Sequence, residues 1–335
     1  MKKVAVIGAG SWGTAVACIA AAHAPSVLWA RDADLADSIN RDHRNPRYLP
    51  DLPLPAGLTS TSELAEALDG ADVCVMGVPS HGFREVLTAA VDHLGAGVPI
   101  VSLTKGLEQD SLLRMTEIVA ELAPGHPTGV LTGPNLAKEV VAGYPAASVV
   151  AMTDTSVSEQ LQTLFSTDSF RVYTNPDVVG CEVAGTLKNV IAIAAGMADG
   201  MGFGDNTRAA LITRGLAELT RLGVALGGQP LTFSGLAGMG DLVATCISPQ
   251  SRNRSVGEEL GKGRSIEEII AEMNMVAEGV KSSKAVVALA ARHGLEMPIA
   301  EQVVAVIHEG RSARDVIPNL MGRESRPELH GIADE

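Results

Sequence analysis

The stretch Val4-Ala5-Val6-Ile7-Gly8-Ala9-Gly10-Ser11-Trp12-Gly13 lies near the start of the chain and decides the fold of its first half. Its apolar run predicts a buried strand, and the helical pattern Thr14–Ala22 follows the glycines at once. Strand, glycine turn and helix form the context in which G-x-G-x-x-G indicates a dinucleotide site. Gly8 allows the tight turn, Gly10 lets the backbone approach a pyrophosphate, and Gly13 lets helix and strand pack closely. We interpret the stretch as a cofactor turn whose helix start holds the anion; a purely structural turn is the alternative.

The composition limits the class of protein. The 335 residues are 46% hydrophobic and 19% charged, which predicts a folded chain of about two domains. The net charge of −13 disfavours nucleic acid and anionic membranes as partners, so an anionic ligand needs its own local Lys and Arg. We expect no signal peptide, no membrane-spanning run and no metal site. The cysteines are widely spaced without a C-x-x-C pair, which favours reduced thiols in a cytoplasmic protein: Cys18, Cys74, Cys181 and Cys246.

Short β-branched runs alternate with helical patterns in the first half of the chain. The alternation predicts an α/β fold with a Rossmann-like, doubly wound, mostly parallel sheet. The predicted strands are Lys3–Ile7, Ser26–Trp29, Asp72–Val78, Pro99–Leu103, Gly129–Thr132, Ala147–Ala151 and Phe170–Tyr173. Further helices are predicted over Arg84–His93, Leu112–Leu122, Leu136–Ala142 and Ser158–Phe165.

Two stretches of the first half lie outside this alternation. Ser60-x-x-Glu63 predicts a capping box before a short helix. Asp42–Gly57 holds four prolines with Tyr48 among them, which predicts an irregular loop. That loop either lies near the adenosine end of the cofactor or is a plain surface connection.

The sequence pattern changes after about Pro176, beyond which strand patterns nearly vanish. We predict a C-terminal all-helical domain over residues 177–335, following a dinucleotide-binding domain over residues 1–176. The predicted helices are Val178–Met197, Thr207–Leu222, Glu258–Leu260, Ile266–Met273, Ser282–His293 and Ala300–His308.

The end of the second strand bears on the choice of nicotinamide cofactor. It reads Leu28-Trp29-Ala30-Arg31-Asp32. NAD-selective folds carry an acid here for the ribose 2′-hydroxyl, whereas a cation suits the 2′-phosphate of NADP. Arg31 occupies the position, so we predict that NADP is preferred, while the neighbouring Asp32 leaves NAD open. A solvated arginine at a strand end is the alternative.

Several polar groups stand where packing alone does not require them. Lys105 follows a strand end, where doubly wound sheets bind ligands. Lys188 interrupts the apolar run Val183–Ala195, so it is either on the exposed side of the helix or paired in a cavity. Asp241 lies in a glycine-dense stretch, and Ser251-Arg252-Asn253-Arg254 offers phosphate-binding groups beside a helix start. Alternatively, Ser251–Arg254 is a basic turn exposed to solvent, and we favour this interpretation for Arg254.

Taken together, these motifs resemble bacterial NAD(P)-dependent glycerol-3-phosphate dehydrogenases. The resemblance runs from about Lys3 to Arg311, and the order and spacing of the motifs make it specific. The matching stretches are GAGSWGTA (8–15), TKGLE (104–108), LTGPNLAKEV (131–140), LKNVIAIAAGMADGMGFGDNTRAALITRGLAE (187–218), GLAGMGDL (235–242), SRNR (251–254) and VAEGV (276–280).

The resemblance implies roles for individual residues. Lys188 matches the proton acceptor, and Asn135 stands where the family often has serine. Substrate contacts are implied for Lys105, Gly133, Asn135, Lys188, Asp241, Ser251, Arg252 and Asn253. Cofactor contacts are implied for Gly8, Gly10, Ser11, Trp12, Gly13, Arg31, Lys105, Ala137, Arg252, Val276 and Glu278.

The implied reaction is the reversible reduction of dihydroxyacetone phosphate to sn-glycerol 3-phosphate, which supplies phospholipid synthesis. The resemblance also implies a homodimer formed through the helical half. Desolvation or a second cation would have to lower the pKa of Lys188 for it to act as a base near neutrality. Two alternatives remain: a related reductase acting on ketopantoate or another hydroxyacid, and a cofactor sensor that has lost catalysis.

Overall fold

The computed structural model describes residues 1–273, 277–325 and 327–328. The chain forms two compact units. The first unit comprises residues 1–104 and 113–178, and the second comprises residues 105–112 together with those from 179 onward. Sequence analysis placed Lys105 in the first domain, whereas its segment packs with the second unit.

The first unit is built on a mostly parallel sheet, as predicted. Its strands are β1 (Val4–Ile7), β2 (Ser26–Trp29), β3 (Arg44–Asn45), β4 (Leu49–Pro53), β5 (Leu58–Thr61), β6 (Val73–Met76), β7 (Ile100–Ser102), β8 (Thr128–Thr132), β9 (Ala146–Met152) and β10 (Phe170–Asn175). Eight of them form one sheet in the order β10-β9-β8-β7-β6-β1-β2-β5. The β8–β9 pair is antiparallel, and the other pairs of this sheet are parallel.

Helices cover both faces of this sheet. They are α1 (Ser11–Ala21), α2 (Ala33–Asp42), α3 (Leu64–Leu68), α4 (Ser80–Val91), α5 (Met115–Leu122), α6 (Ala137–Val141) and α7 (Thr155–Phe165). Alternate residues of β1 therefore enter different cores: Val4 and Val6 pack on one face, and Ala5 and Ile7 on the other. Because both faces are buried, the central strands are continuous apolar runs rather than alternating ones.

Two local predictions in the first unit were wrong. Ser60 does not begin a capping box, because it lies inside strand β5 and its hydroxyl donates to the Leu28 carbonyl at 2.7 Å. Helix α3 begins after Glu63, which makes no side-chain cap hydrogen bond. The Asp42–Gly57 loop is not irregular throughout, since β3 and β4 form an antiparallel pair within it. Its prolines are tolerated because this two-stranded pair has edges that need no ladder donor.

The second unit is helical, as predicted. Its elements are α8 (Val178–Gly200), α9 (Asp205–Ala225), α10 (Pro230–Phe233), a π-helical turn (Leu236–Gly240), α11 (Asp241–Ile247), α12 (Arg252–Gly261), α13 (Ile266–Glu272), α14 (Glu278–Arg292), α15 (Pro298–Glu309) and α16 (Ile317–Met321). The three elements between residues 230 and 247 were not predicted, because glycine and short length hide their periodicity.

Helix α8 is the central element of the second unit. It is buried along almost its whole length, which explains why its sequence is apolar on every side. Contrary to prediction, α8 is long and apolar enough to cross a membrane, as is the segment Pro230–Ile247. In α8, however, 89% of the most apolar window is packed inside the protein, as in an ordinary core helix.

Candidate active site

The glycine turn of the first unit has the backbone geometry that the motif predicts. Gly8 adopts a φ of +120°, and a Cβ there would lie 2.6 Å from the Gly77 carbonyl oxygen. A Cβ on Gly13 would lie 2.0 Å from the Gly8 carbonyl oxygen, so α1 can approach β1 only with glycine at this position. Gly10, the N-cap of α1, has open space where its Cβ would stand. The first turn of α1 contains no acidic side chain, so its free N–H groups suit an anion such as pyrophosphate.

Three buried polar atoms in the first unit lack a partner within the protein. Among the described residues, the buried side-chain atoms without a hydrogen-bond partner are Trp12 Nε1, Thr132 Oγ1 and Asn135 Oδ1. Buried polar groups in proteins are nearly always satisfied, so each such atom calls for an explanation. Trp12 and Asn135 were both predicted to contact ligands. Of the three, the Trp12 N–H lies at the glycine turn and fits a bound dinucleotide, whereas Thr132 and Asn135 lie at the end of β8.

The predicted residues of the first unit gather at the carboxyl ends of parallel strands. The Gly8 N–H donates to the Trp29 carbonyl at 3.0 Å, which places the end of β2 and Arg31 beside the turn. Gly133 follows β8 with a φ of +142°, and Ala137 begins α6, which packs against α1. Asn135 donates from Nδ2 to the Ser148 hydroxyl at 3.2 Å.

Asp32 does not compete with Arg31 as a free acid. Its Oδ1 caps α2 by accepting from the Asp34 and Leu35 N–H groups, and its Oδ2 accepts from Arg47 at 2.6 Å. The bond from Arg47 lowers the pKa of the Asp32 carboxyl, so it is ionised and paired at neutral pH. Both of its oxygens already have partners within the protein.

The second unit holds a buried cluster of two lysines on one aspartate. Asp241 is 2% exposed, and its Oδ2 lies 2.6 Å from Lys105 Nζ while its Oδ1 lies 2.9 Å from Lys188 Nζ. Lys188 also donates to Thr245 Oγ1 at 2.6 Å, and that hydroxyl donates to the Asp241 backbone carbonyl at 2.6 Å. Lys188 is thus paired in the interior rather than exposed on its helix, as an apolar context requires. Two ammonium groups and one carboxylate leave the cluster with one net positive charge.

Within this cluster, the pKa of Lys105 is shifted from its ordinary value. Burial lowers the pKa of Lys105 to about 8, the Asp241 carboxylate raises it, and the Lys188 ammonium lowers it. A lysine with this pKa exchanges protons near physiological pH, which an ordinary lysine does not.

A chain of amides fixes the surroundings of the lysines. Asn189 donates from Nδ2 to the Lys105 carbonyl at 3.3 Å, and its Oδ1 accepts from Asn253 Nδ2 at 3.0 Å. Asn253 Oδ1 in turn accepts from the Gly279 N–H at 2.9 Å. The chain links the segment of Lys105 to α8, α12 and α14. One N–H of the Asn253 amide remains available for a ligand.

The SRNR stretch forms the start of α12. Ser251 is its N-cap, and the hydroxyl accepts from the Arg254 N–H at 3.3 Å. Arg252 is the first residue of the helix and is exposed, whereas Arg254 is turned inward and paired with Asp199 and Glu258. Arg254 is therefore structural, although it is not the solvated side chain that we expected.

Two predicted cofactor contacts lie beside the segment 274–276. Glu278 is the first residue of α14 and is half-buried. Val276 lies outside the described residues, so its role stays a prediction.

Two residues of the cluster were missed by sequence reasoning. Thr245 stands four residues after Asp241, one helical turn along α11, so it reaches the same amine. Asn189 adjoins Lys188, and a polar pair inside an apolar helix is the signal that could have exposed it. Thr245 bonds the Lys188 amine and Asn189 bonds the backbone of Lys105, so both residues fix the surroundings of the two lysines.

Other features of the chain do not belong to this cluster. Burial raises the pKa of the Cys18, Cys74 and Cys246 thiols to about 12, so none is a ready nucleophile. A cavity of about 340 Å³ in the second unit is lined mainly by apolar side chains, with Glu218 and Arg221 among them, and it contains none of the predicted site residues. Among residues 1–273, 277–325 and 327–328 no group of three His, Cys, Asp or Glu side chains could hold a metal ion.

The glycine turn and the lysine–aspartate cluster define a dinucleotide-dependent oxidoreductase with a helical second unit. Family models make this class specific. The model described as NAD-dependent glycerol-3-phosphate dehydrogenase N-terminus matches residues 3–158, and the corresponding C-terminus model matches residues 177–318. The chain belongs to the NAD-dependent glycerol-3-phosphate dehydrogenase family.

Relatives with curated names agree with this assignment. The chain is 60% identical to glycerol-3-phosphate dehydrogenase [NAD(P)+] 2 of Sphingopyxis alaskensis, over 98% of each chain. It is 54% identical to glycerol-3-phosphate dehydrogenase [NAD(P)+] of Mycobacterium avium, over 98% of this chain and 97% of the relative. The crystal structure of glycerol-3-phosphate dehydrogenase from Coxiella burnetii matches with a TM-score of 0.92 and 40% identity, over 96% of this chain and 99% of that one.

Proposed function

We propose that this chain catalyses the reversible reduction of dihydroxyacetone phosphate to sn-glycerol 3-phosphate, with NADPH preferred over NADH. The observation that carries the proposal is the buried Asp241 carboxylate held between Lys105 and Lys188. Such a cluster can keep a proton on an amine inside the protein and present it to a ketone oxygen. A cofactor sensor has no use for it, which argues against a chain that has lost catalysis.

The chemistry divides between the cofactor and the side chains. The glycine turn and Arg31 would hold the nicotinamide cofactor, which when bound would supply the hydride that reduces the ketone carbon. Negative charge then develops on the ketone oxygen, where Lys188 stabilises it and transfers one proton from Nζ, so that an N–H bond breaks and an O–H bond forms. Lys188 regains its proton from solvent, and the reverse reaction takes the proton from the secondary hydroxyl.

Asp241 and Thr245 position the proton donor. Together they hold Lys188 Nζ from two sides, at 2.9 Å and 2.6 Å. This leaves the third N–H of the ammonium for the substrate. Fixing the amine in advance reduces the reorganisation that the transition state would otherwise require.

Lys105 has a second role in the proposal. Its ammonium offsets the net charge of −13 locally and contacts both substrate and cofactor. Because its pKa is about 8, it can also pass a proton within the cluster through the shared carboxylate.

The phosphate is recognised at the start of α12, away from the reacting carbon. Arg252 supplies a guanidinium, Asn253 its remaining N–H, and Ser251 the hydroxyl that also caps the helix. Binding energy from the phosphate orients the ketone for reaction, and this orientation raises kcat for a small substrate. In the first unit, Gly133 and Asn135 serve the substrate side.

The remaining proposed contacts hold the cofactor. The glycine turn binds its pyrophosphate, and Arg31 suits the 2′-phosphate of NADP. The other residues proposed here are Ser11, Trp12, Ala137, Val276 and Glu278.

The proposal extends to the cellular setting. The product would supply the glycerol phosphate backbone of phospholipids from a cytoplasmic, homodimeric enzyme. The negative charge of the chain disfavours nucleic acid and anionic membranes as partners, and we propose no integral membrane association.

Initial-rate measurements test the proposed function. We expect oxidation of NADPH with dihydroxyacetone phosphate, a lower kcat/KM with NADH, and no turnover of ketopantoate. Ketopantoate lacks the phosphate that the start of α12 would hold, so it serves as the matched negative substrate. Turnover of ketopantoate without turnover of the triose phosphate would overturn the proposal.

A further inference from the structure

The β3–β4 hairpin is tied directly to the cofactor turn. Asn45 is fully buried, and its Nδ2 donates both to the Ala9 carbonyl and to Thr14 Oγ1, each at 2.9 Å. Its Oδ1 accepts from the Tyr48 N–H at 3.1 Å, so one amide holds the hairpin turn against the start of α1. Ser11 adds a hydrogen bond from its hydroxyl to the Tyr48 carbonyl at 3.4 Å.

This anchoring places the guanidinium of Arg47 beside the end of β2. Arg47 Nη2 lies 2.6 Å from Asp32 Oδ2, and Asp32 directly follows Arg31. Both Arg31 and Arg47 are exposed, and Arg31 forms no ion pair within the described part of the chain. Asp32 thus follows one arginine in the chain and pairs with another, at the position where Rossmann folds select their nucleotide.

We propose that Arg47 is a second determinant of specificity for a ribose 2′-phosphate, and that Asn45 is the positioning residue that sets it there. The inference rests on the proposed function and extends its cofactor preference. In this proposal Asp32 orients the guanidinium: its Oδ1 accepts both bonds of the α2 N-cap and its Oδ2 pairs with Arg47. A dianionic phosphate between two guanidinium groups forms charge-assisted bonds that a hydroxyl cannot replace.

Calorimetric titration with two nucleotides measures recognition of the 2′-phosphate separately from the reduction of the ketone. We would titrate 2′,5′-ADP and 5′-AMP into the full chain, wild type and Arg47→Ala. Loss of one charged hydrogen-bonding partner predicts about tenfold or weaker binding of 2′,5′-ADP, with 5′-AMP changed less than about twofold. Arg41→Ala is the matched control, because Arg41 is also exposed, lies in the same unit and pairs with an aspartate, Asp42. Equal losses for both nucleotides, or none for either, would overturn the proposal.

Two further variants separate positioning from packing. Asn45→Ala should reduce the preference for 2′,5′-ADP, and adding Arg47→Ala should then cause little further loss, because the two residues act as a unit. Asp32→Asn keeps an acceptor for the helix cap and should leave 5′-AMP binding unchanged. Weaker 5′-AMP binding in Asp32→Asn would assign that aspartate to the ribose hydroxyl and refute the inference. None of these titrations involves a triose phosphate, so their failure is distinct from failure of the proposed reaction.

Discussion

Replacing Asp241 by asparagine tests the cluster most severely, because one change removes the partner of the buried Lys188 and of the half-buried Lys105. The carboxylate lies 2.6 Å from Lys105 Nζ and 2.9 Å from Lys188 Nζ, and it is 2% exposed. Breaking a buried ion pair by removing one partner costs roughly 3–5 kcal/mol of the free energy of unfolding. We therefore expect a loss of this size for Asp241→Asn in urea denaturation of the free protein.

The same variant has a pH signature. Asp241 raises the pKa of Lys105, so losing the carboxylate should lower that pKa from about 8. Reduction of the ketone needs a protonated cluster, hence the rate in the wild type should fall as pH rises through about 8. In Asp241→Asn the fall should occur at lower pH, and turnover at pH 7 should drop about 100-fold or more.

Asp199→Asn is the matched control for this experiment. Asp199 is also a buried carboxylate between two cations, Arg208 and Arg254, in the same unit. It should lose stability but keep the wild-type pH–rate profile. An Asp241→Asn protein with normal stability and an unchanged inflection would refute the reasoning about the cluster.

Three other substitutions probe separate parts of the molecule. Arg252→Ala should raise the KM for dihydroxyacetone phosphate at least tenfold by removing a charged phosphate contact, and steady-state kinetics that left KM unchanged would exclude the residue from the phosphate site. Trp12→Phe removes a buried N–H that has no partner within the protein and keeps the ring contact with Phe170. Titration with NADPH should therefore show weaker binding, while thermal stability should be equal or higher. An unaltered affinity for NADPH would mean that the N–H does not serve the cofactor. Burial raises the pKa of Glu218 from 4.5 to about 7, so between these pH values the folded state holds a proton that the unfolded state has released. The free energy of unfolding should therefore fall by about 3 kcal/mol as pH rises from 4.5 through about 7. Glu218→Gln should flatten that part of the stability–pH curve, and an unchanged slope would contradict the assignment.

Much of the first unit could be predicted because its signals are local. A glycine turn between a buried strand and a helix requires a particular backbone, and Gly8 and Gly13 adopt it. The capping box at Ser60 failed because pairing of β5 with β2 competes with local capping, and tertiary pairing prevailed. The order of the strands across the sheet has no local signature at all.

Predicting the candidate site depended on the resemblance more than on periodicity. Nothing in the pattern near residue 105 shows that this segment packs with the second unit and brings Lys105 to Asp241. Thr245 and Asn189 were missed because hydroxyl and amide side chains are common in helices without function. Arg47 was hidden in a proline-rich stretch, and only the buried bonds of Asn45 reveal where that stretch is held.

A paired measurement on Lys188→Ala tests the central claim, that Lys188 delivers the proton to a phosphorylated three-carbon ketone. Single-turnover oxidation of NADPH by dihydroxyacetone phosphate would be followed alongside the fluorescence titration of NADPH. The account predicts a rate lowered about 100-fold or more, with NADPH affinity close to that of the wild type. A rate near that of the wild type, with NADPH bound normally, would contradict it.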